Sequence, residues 1–186
     1  MKKFAIGIGL LIVVAIIIGS MSTRREDFTT RFEVGTKDNI IQIKHRIDTT
    51  EMKTYTDKVY GVKVQYPAFF NVLDTMEAGT ARFSYPDKEI GVRLSMFVEP
   101  NVEGWTVKEA VKHLTDSLTF CVKEGKDFFI LKGTIGQESS GAYLEKCFLS
   151  GDNWIDYTLF YGTEYENAIE RLKEMIRKWH PELKLW

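Results

Sequence analysis

The sequence has no excess of charge of either sign. Its 25 Lys and Arg stand against 26 Asp and Glu, for a formal net charge of −1. That balance offers no field for nucleic acid, and no dense basic patch interrupts it. Thiols are scarce. Cys121 and Cys147 are the only two, and with none near the amino end a lipidated N-terminus is excluded. Histidine is confined to His45, His113 and His180, in neither H-x-x-x-H nor H-E-x-x-H spacing. A metal site needs three or four convergent ligands with recognisable spacing, so the expectation is solvent-facing histidines, no metal and no other cofactor. The chain also lacks G-x-S-x-G, G-x-x-x-x-G-K-[ST] and G-x-G-x-x-G. The first absence removes the usual serine nucleophile, and the other two remove phosphate- and dinucleotide-cradling loops. There is no internal repeat and no low-complexity tract.

What is present begins with Phe4–Met21, FAIGIGLLIVVAIIIGSM, a run without charge whose only polar side chain is Ser20. As a helix it would rise about 27 Å, close to the hydrocarbon thickness of a bilayer. No face of it is polar, which argues against a buried helix of a soluble domain. Lys2 and Lys3 precede it as in a signal-peptide n-region or signal anchor, and its length exceeds a cleavable h-region. The expectation is a signal anchor or transmembrane helix over 1–21, a short cytoplasmic end and an exported remainder. Arg24 and Arg25 just after the run pull the other way in the positive-inside rule.

Residues 22–57 are polar and read as a tether with a short ordered piece. The alternative is that Ile40–Ile47 forms a first strand or docks on the domain. A globular domain over 58–186 is expected from there. In Tyr60–Tyr66 the side chains of Val62, Val64 and Tyr66 alternate with Lys63 and Gln65, the period of a half-buried strand, which Pro67 closes. Gly79–Tyr85 predicts a second strand. Ile90–Val98 predicts a third, with Ile90, Val92, Leu94, Met96 and Val98 on one face. Thr106-Val107-Lys108-Glu109 is a capping box opening a helix with Val107, Ala110, Val111, Leu114 and Leu118 on one stripe. Three more strands, Phe128–Gly133, Gly141–Leu149 and Trp154–Tyr161, follow. A second capping box, Thr163–Glu166, predicts a last helix striped by Tyr165, Ala168, Ile169, Leu172, Ile176 and Trp179, stopped by Pro181. The order β-β-β-α-β-β-β-α gives an α+β fold, a mainly antiparallel sheet of about six strands with two amphipathic helices against it.

The segment Tyr60-Gly61-Val62…Tyr66-Pro67, followed by a hairpin, a helix, a strand meander and a C-terminal amphipathic helix, resembles the PsbP-like fold over about residues 59–181. In small exported bacterial members a "YGV…YP" strand opens the domain. The resemblance implies an α/β/α sandwich and a binding or assembly role. It transfers no functional residue.

For chemistry the residues offer little. Glu145 and Asp156 could face each other across predicted strands, but acid–base work also needs a cleft. Cys121 has His113 eight residues earlier and nothing further as a base partner. Trp154, Tyr157, Phe160 and Tyr161 put rings on both faces of one strand. Either helices cover both faces, or an exposed aromatic surface takes a glycan, lipid or partner protein. Cys121 and Cys147, placed in an oxidising compartment, are candidates for a disulfide if their strands are neighbours. Otherwise each acts as a small buried hydrophobe. The function expected is therefore a non-catalytic, membrane-anchored extracytoplasmic binding or assembly domain. Its partner would be another envelope protein or a glycan, not nucleic acid. The rival is an envelope hydrolase built on carboxylates or a cysteine.

Overall fold

A computed structural model describes residues 37–75, 77–135 and 140–181. The chain divides into two units, Met1–Arg31 and Phe32–Trp186, and every described residue belongs to the second. The apolar run Phe4–Met21 lies outside the described residues. Among those described, no helix is long and apolar enough to cross a membrane.

The elements in chain order are α1 (Lys37–Thr49), β1 (Met52–Thr56), β2 (Lys63–Pro67), β3 (Asn71–Asp74), β4 (Thr80–Ser84), β5 (Arg93–Pro100), α2 (Val107–Leu114), β6 (Thr119–Glu124), β7 (Phe128–Ile135), β8 (Gly141–Ser150), β9 (Asn153–Gly162) and α3 (Glu170–Lys178). Among the described residues, seven strands make one antiparallel sheet in the order β3-β4-β5-β9-β8-β7-β6, and β1 pairs with β2 in a separate two-stranded sheet. An antiparallel sheet flanked by three helices matches the α+β expectation, with β1, β3 and β6 added to the six strands read from the sequence.

Alternation along each strand sorts its side chains between two faces. Ala81 and Phe83 of β4, Leu94 and Met96 of β5, Leu144 and Phe148 of β8, and Ile155, Tyr157, Leu159 and Tyr161 of β9 all enter the main core. Leu172 and Ile176 of α3 and Ile43 and Ile47 of α1 close over them. The β1–β2 hairpin joins the same side: the Tyr66 ring stacks on Phe83 at 4.1 Å. On the opposite face Val107 and Ala110 of α2 are buried over β6 and β7 with Phe129 and Leu131. Gly133 of β7 lets the Tyr143 ring lie across it, since a Cβ there would meet that ring at 2.4 Å. The Tyr143 hydroxyl thereby reaches Thr119 Oγ1, 2.8 Å away on β6.

The tether boundary is corrected by α1 and β1. Residues 37–57 belong to the domain, because Ile43 and Ile47, one helical turn apart, are 2% and 0% exposed in its core. Ile40–Ile47 docks, as one alternative held, but as a helix and not as a strand. The first capping box is present: Glu109 N–H donates to Thr106 Oγ1 and Thr106 N–H donates to Glu109 Oε2. Its helix ends at Leu114, where Thr115 turns extended, and Leu118 is left exposed.

The second capping box does not form. Thr163–Tyr165 is a single 3-10 turn and α3 begins at Glu170. The physical reason is competition for both partners. Thr163 N–H donates to Ser140 O, while Lys173 Nζ at 2.7 Å and Lys132 Nζ at 3.1 Å claim the Glu166 carboxylate. Burial pushes that carboxyl up, but Lys173, the Tyr161 hydroxyl and Lys132 outweigh it and hold it at about 2. A folded value below the unfolded one stabilises above the ordinary carboxylate range, and the benefit fades as pH falls toward 2. Glu166→Gln is expected to lower the melting temperature at pH 7 by about 3 °C, the effect of about 1 kcal/mol from a solvent-screened pair. At pH 2 the variant and the parent should melt together. An equal deficit at both pH values would assign the loss to packing instead.

Candidate functional site

The residues singled out for chemistry do not converge. Cys121 is on β6 and Cys147 on β8, with β7 between them. Cys121 stands opposite Leu131, which stands opposite Glu145, so the two thiols are also out of register. Two strand spacings are about 9.6 Å, beyond the reach of a disulfide. The candidate Cys121–Cys147 bond is therefore absent. The aromatic surface is also corrected. Tyr157 and Tyr161 are 0% exposed in the main core, Phe160 is 8% exposed on the other face, and Trp154 is half-buried with its edge toward Phe129. α3 packs on β9 and β8, over the face that carries Tyr157 and Tyr161, while α2 packs on β6 and β7 across the sheet. His113 stacks on Trp105 at 4.6 Å and His180 meets the Phe148 ring at 4.7 Å, so neither attends Cys121.

A groove of about 720 Å3 lies between the β1–β2 hairpin and α3. Its hairpin wall is Met52, Thr54, Thr56, Lys63 and Gln65. Its helix wall is Arg171, Glu174, Met175 and Lys178, and it ends at Trp179 and His180. The walls are held by side chains that reach backbone carbonyls. Trp179 Nε1 donates to Lys63 O at 2.8 Å and the Tyr157 hydroxyl donates to Gln65 O. These bonds fasten the inner edge of β2 and leave the Lys63 and Gln65 side chains exposed. Arg171 Nη1 donates to Ile47 O, Asp48 O and Thr50 O at 2.6–2.9 Å, binding the end of α1 to α3. Lys146 donates to Arg177 O and Trp179 O at 2.8 and 2.5 Å, placing a cation at the C-terminus of α3, where the helix dipole favours it. Burial, and then Lys123, push Lys146 down from the ordinary lysine range, with Asp127 opposing.

The groove carries Lys63, Arg171 and Lys178 against one carboxylate, Glu174. Glu174 is held by Lys178 at 3.1 Å and Arg177 at 3.2 Å, which lower its pKa. Glu170, bound by Arg177 at 2.6 Å and Lys173 at 3.2 Å, is lowered as well. The carboxylates along α3 are thus fixed in the ionised form. A general acid would need the opposite shift. The sequence reading missed this groove because its parts come from β1, β2 and α3, and β1 lay inside the presumed tether. The available signal was the tight cluster of Lys and Arg at 171, 173, 177 and 178.

No family model matches the chain, and no curated protein matches it. Among solved structures, the fold is similar to the solution structure of cyanobacterial PsbP (CyanoP) from Synechocystis sp. PCC 6803, with a TM-score of 0.49 and 14% identity over 69% of this chain and 90% of that one. The likeness is one of fold.

Proposed function

We propose that the chain is a non-catalytic, membrane-anchored extracytoplasmic domain that binds or scaffolds another envelope component, and that the groove beside α3 takes an acidic segment of that partner. The observation that carries the reading is the cation-rich groove on a fixed frame. Lys63, Arg171 and Lys178 face it on elements pinned by Trp179, Tyr157 and Lys146. Preorganised cations favour an anionic partner through complementarity and faster encounter. The anchor rests on the length and uniformity of Phe4–Met21.

Two measurements test this. Protease added to intact spheroplasts should digest the domain; full protection would reverse the topology. Crosslinking in membranes followed by capture of the full chain should recover a specific partner, and Lys63→Glu with Lys178→Glu should reduce that recovery at least tenfold at low salt. Capture unaffected by the reversals would remove the groove from the interface. Absence of any partner together with a positive hydrolase screen would favour an enzyme.

A further inference from the structure

On the sheet face opposite α3, the β8–β9 hairpin sets Cys147 directly across from Asp156 and Glu145 across from Thr158. One ligand atom each from Glu145, Cys147 and Asp156 lies within 4.8 Å of the others. Cys147 and Asp156 are 4% and 5% exposed, and Glu145 is the half-buried member on the solvent side. Thr158 Oγ1 donates to Glu145 Oε1 at 3.1 Å and orients that carboxylate. A further observation comes from β5. Ser95 stands across from Thr158 on the same face, is 3% exposed, and its hydroxyl has no hydrogen-bond partner among the described residues. A hydroxyl buried without a partner is destabilising, and a bound ligand or its water would satisfy it.

We propose that Glu145, Cys147 and Asp156 form a site for a borderline-soft divalent cation of the Zn2+ class, on the same sheet face as the buried, unpartnered Ser95 hydroxyl. One thiolate and two carboxylates suit such an ion. Tetrahedral coordination brings ligand atoms to about 3.5 Å from one another, so binding would draw the three in from their present spacing of up to 4.8 Å. Binding displaces the Cys147 thiol proton to solvent, and the ion clamps β8 to β9. The three ligands come from one hairpin and share no sequence spacing typical of a metal motif, so this site departs from the expectation that the chain holds no metal.

The test is titration of the full chain in detergent with Co2+, followed by competition with Zn2+. One equivalent should produce sulfur-to-cobalt charge-transfer absorption, which Zn2+ removes, and Zn2+ should raise the melting temperature. Cys121→Ser should behave like the parent, Cys147→Ser should lose the absorption, and Asp156→Asn should weaken binding at least tenfold. Absence of a charge-transfer band in the parent overturns the proposal whether or not any variant folds. So does a band that survives in Cys147→Ser or disappears in Cys121→Ser.

Discussion

Deleting residues 163–186 is expected to yield a product without cooperative melting, insoluble or molten in character. Helix α3 supplies Leu172 and Ile176, both 0% exposed, and the chain after it supplies Trp179 at 8%. Burying each contributes about 2 kcal/mol, a total comparable with the whole stability of an ordinary domain. The deletion also uncovers Tyr157, Leu159 and Tyr161 beneath, and leaves the ends of α1 and β2 without Arg171 and Trp179. The sheet retains its own hydrogen bonds, so the expected product keeps far-UV signal, loses near-UV signal and binds a hydrophobic dye. Single replacements grade the same effect. Ile176→Ala should cost about 3 kcal/mol, and Arg177→Ala, at an exposed ion pair, below about 1 kcal/mol. A truncated domain with an unchanged sharp transition would show that α3 is an accessory to the core.

Legibility in the sequence followed burial. β5 announced itself through the strict alternation of Ile90, Val92, Leu94, Met96 and Val98, and its centre was placed well. β1 and β6 are edge strands with most side chains in water, as the run of exposed residues from Val122 to Glu124 illustrates. Such strands carry no period of two, and both were missed. α1 buries a stripe only two residues deep, Ile43 and Ile47, in an otherwise polar segment, so its helical period was masked by its polarity. The apparent capping box at Thr163 shows a different limit. The motif's residues were right, but Lys173, ten residues on, offered Glu166 a stronger partner than the backbone did. That Glu145 and Asp156 share a face of the hairpin could be read, but they stand diagonally and not opposite each other. The thiol beside them could not be read, because register alone decides that Cys147, and not Glu145, stands across from Asp156.

Asp57→Ala is expected to destabilise the domain by about 3 kcal/mol and lower its melting temperature by about 10 °C. Asp57 is 3% exposed, in the loop between β1 and β2. Its Oδ1 accepts from Val59 N–H at 3.0 Å and Tyr60 N–H at 2.7 Å, closing the hairpin turn. Its Oδ2 accepts from Gly79 N–H at 2.9 Å, across to the loop before β4. One carboxylate thus ties the two-stranded hairpin to the large sheet. Gly79 is fitted to that contact: it has φ +74°, and a Cβ there would come within 3.0 Å of Tyr60 and Val98. Alanine at position 57 would leave three N–H groups without their acceptor, at least one of them buried, and the cost of an unmet donor exceeds the net worth of the bond it lost. Asn separates the two arms of the tie. Its carbonyl oxygen can keep either the turn or the Gly79 contact, while its NH2 group confronts a donor on the other side, so Asp57→Asn should recover only part of the loss. Thermal melts of the parent and both variants at pH 7 decide it. Asn matching Asp would mean that one arm carries the whole effect, and Ala matching Asp would mean that the hairpin is held by Tyr66, Trp179 and Tyr157 alone.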